Sequence, residues 1–75
     1  MNQGYKQPAY PILCGLIAQK GIKKNAVAKA IGISPHTLSI RLRGESEFTI
    51  SQALTIKRVF FPDMGVETLF KRNEA

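Results

Sequence analysis

Histidine and cysteine, the side chains best suited to acid-base and nucleophilic chemistry at neutral pH, occur once each in this chain of 75 residues. The one histidine, His36, has no Ser, Cys or carboxylate constellation around it, so it reads as an exposed hydrogen-bond donor rather than a catalytic base or metal ligand. The one cysteine, Cys14, can close no internal disulfide and supplies no Cys-rich zinc site; among aliphatic neighbours it reads as a small buried apolar residue. Neither catalysis nor a cofactor is implied. What the sequence does offer is cationic chemistry. Eleven Lys or Arg face five Asp or Glu, a formal charge of +6. Every carboxylate lies at or beyond Glu45, so residues 1–44 hold seven cations and no anion, and residues 45–75 hold four cations and five anions. Such a one-sided field releases counterions when it meets a phosphate backbone, which favours nucleic acid as partner. Anionic lipid is the competing partner, and charge kept for solubility is the bland alternative.

The elements that must position these groups read as a series of short helices. Pro11 fits a first helical turn and Gly21 an ending, which predicts a helix over about 11–20 with Ile12, Leu13, Leu16 and Ile17 as its apolar stripe. A second helix runs from Lys24 to about Ala30 and stops at Gly32; a third starts at once with Ser34 as N-cap and Pro35 in first position, reaching about Arg43 before Gly44. Leu38 and Leu42 form its buried stripe. Thr49 with Gln52 matches a capping box and opens a fourth helix to about Phe60, with Ile50, Leu54 and Val59 expected to face inward. After the Asp63 to Gly65 turn, Val66 to Lys71 makes one or two further turns. The expectation is one all-α domain of four to five helices over residues 1–75, with a loose lead at 1–9 and a short C-terminal helix and tail at 62–75, frayed from Asn73 onward. No apolar run approaches the roughly 20 residues of a membrane span. Met1 to Lys6 lacks a signal-peptide pattern, so the expected compartment is the cytoplasm.

The informative stretch is 24–43, where two short helices meet across a tight turn. Ala28 is small enough to lie where they touch, Gly32 permits positive φ, Ile33 tucks under the corner, and Val27, Ile31 and Leu38 plug the shared core. The run Gly21-Ile22-Lys23-Lys24-Asn25-Ala26-Val27-Ala28-Lys29-Ala30-Ile31-Gly32-Ile33-Ser34, continuing Pro35-His36-Thr37-Leu38-Ser39-Ile40-Arg41-Leu42-Arg43-Gly44, resembles the helix-turn-helix of the Cro and lambda-repressor-like family of phage and bacterial regulators. The resemblance covers roughly residues 10–60. Chain size, helix pattern and the tail from Phe60 to Phe70 are also similar to small phage switch regulators of Gram-positive hosts, both Cro-like repressors and modulators of repression.

The resemblance implies a DNA-binding domain, usually a homodimer on a two-fold operator, acting in the bacterial or phage-infected cell. Carried over by position, it implies a phosphate contact at Lys24, assisted by Lys23, base-reading positions at Ser34, Pro35, His36, Thr37, Ser39 and Ile40, and a backbone clamp at Arg43. The lysines have physical support, because cations at a helix N-terminus oppose the macrodipole and folding does not ask for them; a bound phosphate would. Arg41 stands where the family usually has an apolar residue, and reads either as a phosphate clamp or as an exposed charge, with Leu42 taking over the packing. Pro35 has no donor to give, so readout is thin. Ile40 serves either thymine methyls or the core. Phe48, Phe60, Phe61, Met64, Leu69 and Phe70 serve either a dimer face or intramolecular packing. Two functions stay open: a sequence-specific repressor with its third helix in the operator major groove, and a modulator that binds a partner repressor protein through the same fold.

Overall fold

The computed structural model describes residues 8–73. They form α1 (Pro11–Gln19), α2 (Lys24–Ile31), α3 (Pro35–Leu42), α4 (Ile50–Phe60) and α5 (Val66–Leu69), and among the described residues there is no strand. α2 lies against α3 and α4, and α5 packs on α4 and α1.

Local chemistry sets the helix limits. Pro11 occupies the first turn of α1 and Pro35 that of α3. Ser34 Oγ accepts from Thr37 N at 3.0 Å. At α4, Thr49 Oγ1 accepts from Gln52 N at 3.0 Å while Gln52 Oε1 accepts from Thr49 N at 3.1 Å, a complete capping box. The first three helices end alike. Each stops at a glycine with positive φ, and the next amide donates to a carbonyl five residues back: Ile22 to Ile17, Ile33 to Ala28, Glu45 to Ile40. Gly44 is constrained twice, since a Cβ there would lie 2.8 Å from Ala9 Cβ and 2.9 Å from Arg72 Nη2.

The core joins all five helices: Leu13 and Ile17 from α1, Val27 and Ala28 from α2, Leu38 and Leu42 from α3, Ile56 from α4, Leu69 from α5, with Tyr10 and Phe61 beside them. Each large aliphatic side chain buried in this way stabilises the fold by about 1.5–3 kcal/mol.

α4 departs from the sequence reading. Ile50, Leu54 and Val59, expected to face inward, are exposed, and the inward residue is Ile56, with Phe60 partly buried against the core. Two apolar stripes share this helix; at about 100° per residue Ile50 and Leu54 lie about 120° and 160° around the axis from Ile56. Packing against α2 and α5 selects the stripe through Ile56, a choice that periodicity alone cannot make.

The chain ends also differ from a loose lead and frayed tail where they are described. Asn73 N donates to Ala9 O at 2.8 Å, and Arg72 Nη1 donates to the Tyr10 hydroxyl at 2.9 Å with its guanidinium over the Tyr10 ring. Residues 1–7 and 74–75 lie outside the described residues. Tyr10, Phe48 and Phe70 meet edge to face with centroids 5.3–5.8 Å apart. The aromatic surplus of the C-terminal half is thus packed within the chain: Phe61 and Leu69 are buried, and Phe48, Phe60, Met64 and Phe70 rest on the core.

Candidate nucleic-acid interface

The bend between α2 and α3 is built from the residues its tightness demands. Ala28 is buried at the contact, Gly32 adopts φ 74°, and Ile33 packs on the core while its amide closes α2. Val27 and Leu38, both inaccessible, lock the pair from beneath. Among the described residues α3 is therefore held by one face, and nothing packs on the opposite one.

That free face holds most of the proposed readers. His36, Ile40 and Arg43 follow one another at spacings of four and three, so they line one side of the helix. His36 and Arg43 are exposed; Ile40 is half-buried and stands outside the core cluster. Thr37 and Ser39 are half-buried at the margins, and Ser34 and Pro35 are exposed at the N-terminal tip. Ser34 and Thr37 engage each other, because Ser34 Oγ donates to Thr37 Oγ1 at 3.0 Å as well as accepting the capping bond. Their hydroxyls are already partly committed.

Lys23 and Lys24 belong to the other helix of the pair. Both are exposed at the α2 N-terminus, which has no side-chain cap and no acidic residue in its first turn. Ala26 N donates to the Lys23 carbonyl at 3.0 Å, so among the described residues it is the amides of Lys24 and Asn25 that are left for an external acceptor. Lys24 also acts on Cys14 of α1: burial pushes that half-buried thiol above its ordinary pKa, and the lysine charge pulls the other way.

Arg43 carries a qualification that sequence reasoning missed. Its Nε donates to Glu45 Oε2 at 3.0 Å, both side chains being largely exposed, and the carboxylate raises the guanidinium pKa further. Opposite charges two residues apart were the available signal.

Arg41 is neither an exposed charge nor on the free face. It is half-buried, and its Nη1 donates to the Glu47 carbonyl at 2.9 Å and to Gln52 Oε1 at 2.7 Å. Leu42, buried beside it, takes the apolar place.

Among the described residues no helix is long and apolar enough to cross a membrane. Comparison with curated proteins and with solved structures gives no match. A family model described as a Cro/C1-type HTH DNA-binding domain matches residues 13–71, from α1 to just past α5.

Proposed function

Because the chain belongs to the Cro/C1-type helix-turn-helix DNA-binding family, whose domains serve sequence-specific regulators of transcription, we propose that it is a Cro-like repressor of the small phage type. It places α3 in the major groove of an operator and blocks polymerase by occupancy. Lys24 and Arg43, with Lys23, fix the domain on the phosphate backbone. Ser34, Pro35, His36, Thr37, Ser39 and Ile40 face the base edges, with Pro35 and Ile40 contributing apolar contact. The observation that carries this reading is the uncapped α2 N-terminus with two exposed lysines beside an α3 whose outer face is unpacked.

The repressor acts as a pair of identical chains, joined through the exposed side of α4. Ile50, 81% exposed, stands at a groove of about 220 Å³ whose lining includes Tyr10, Phe48, Ala53 and Phe70 together with the exposed Glu47 and Arg72. A two-fold contact sets this patch against itself: each Ile50 enters the other groove, and Glu47 faces the opposite-signed Arg72.

The same exposed patch also favours a second reading, a modulator that captures a partner repressor protein. One experiment separates the two. A random double-stranded pool is put through selection on this chain and any enriched duplex is used in gel shifts; DNA from the gene's own surroundings is shifted in parallel by any repressor encoded there, with and without this chain. Binding of a defined sequence by this chain alone supports the repressor. No binding alone, with loss of the other protein's shift in the mixture, supports the modulator.

A further inference from the structure

The connection between α3 and α4 carries Arg43 and Glu45, yet no core residue of the described chain lies between Leu42 and Ile56. Phe48 rests against the core, and Arg41 supplies a polar tie. From the last turn of α3 its guanidinium spans to the Glu47 carbonyl within the connection and to the Gln52 side chain in the first turn of α4. Gln52 Oε1 accepts simultaneously from Arg41 and from Thr49 N, so one oxygen couples the clamp to the capping box that starts α4. The arrangement is not the one that folding alone would choose. Arg41 Nε is buried with no hydrogen-bond partner among the described residues, whereas an apolar side chain there would leave no such donor.

We infer that Arg41 is a positioning residue for DNA binding: it holds the α3–α4 connection in the shape that presents Arg43 to the phosphate backbone. It touches no nucleic acid itself. This rests on the phosphate role proposed for Arg43, and the clamp adds a requirement that Arg43 alone does not contain.

The test is a double-mutant cycle on the selected duplex, with folding followed by thermal melting and the connection followed by amide exchange at Thr49. Arg41→Met keeps an unbranched stem as far as the position of Nε and removes both hydrogen bonds. It is expected to melt no lower than the parent, to speed exchange at Thr49, and to weaken binding by about tenfold. In an Arg43→Ala background the same change should alter binding by less than about twofold, because its effect passes through Arg43. Gln52→Met cuts the clamp from its other end, removes the acceptor of the Thr49 amide and keeps the Thr49 hydroxyl cap, so it should weaken binding in milder form and speed exchange at Thr49 at least as much, even if Arg41→Met folds poorly. Parent-like affinity in a folded Arg41→Met or Gln52→Met protein overturns the inference. So does an equal loss in both backgrounds with a salt slope lowered by about 1, which would mean that Arg41 meets phosphate directly. If Arg43→Ala leaves binding unchanged, the phosphate role of Arg43 fails instead, and the clamp inference falls with it.

Discussion

Arg43 Nε and Glu45 Oε2 are 3.0 Å apart, so the cation proposed to clamp a phosphate is already held by a carboxylate two residues along the chain. DNA must displace or share that partner. Glu45→Gln should tighten binding to the selected duplex roughly two- to fivefold at low salt, with the gain shrinking as salt rises, because exposed pairs are weak and screened. Fluorescence titration over a salt series measures it, and equal or weaker binding by Glu45→Gln would show that the carboxylate does not compete.

Gly32 and Gly44 both adopt positive φ at helix ends, but their surroundings differ. A Cβ on Gly32 meets open space, whereas one on Gly44 meets Ala9 and Arg72 below 3 Å. Gly32→Ala should therefore cost about 1 kcal/mol from backbone strain alone. Gly44→Ala adds an overpacking cost, for a total of about 2–4 kcal/mol. Ala9→Gly should recover part of the loss at position 44 and none at position 32. Urea unfolding of the variants checks the ranking.

The two faces of α4 should respond oppositely to mutation. Ile56→Ala opens a cavity in the core and should cost about 2–5 kcal/mol. Ile50→Lys should leave monomer stability within about 0.5 kcal/mol and abolish self-association, read by sedimentation at increasing concentration. An unchanged association state would remove α4 from the proposed dimer contact.

Whether a feature can be read from the sequence follows from how far its cause extends along the chain. The limits of α2 and α3, the Ser34 cap, the Thr49–Gln52 box and the glycine endings depend on residues within five positions, and they were visible in the residue types. The free face of α3 followed from Leu38 and Leu42. What was hidden depends on distant partners. The rotation of α4 is set by α2 and α5, and Arg41 acquires its meaning from Gln52, eleven residues on. Tyr10 joins Phe48 and Phe70 across nearly the whole chain, so residues that looked like surplus apolar surface became an internal cluster.

Cys14 makes stability sensitive to alkali. Burial raises its thiol pKa in the folded chain above that of the unfolded chain. The contribution is fully present below the unfolded thiol's pKa and is lost as pH rises through the folded value. Stability should decline across that alkaline window, and Cys14→Ala should flatten this part of the decline. Alkylation of the native thiol at neutral pH should also be several times slower than in urea. Equal rates would contradict the burial argument.

If α3 and the α2 N-terminus together form a DNA-binding face, affinity must depend on salt through their cations. The dissociation constant of the parent, Lys24→Ala and Arg43→Ala for the selected duplex is measured over a range of salt concentrations. The expected result is a linear log–log dependence, a slope shallower by about 1 for each variant, and unchanged sequence preference. The contradicting result is an identical slope in parent and both variants, or no binding of the parent to any duplex in dilute buffer.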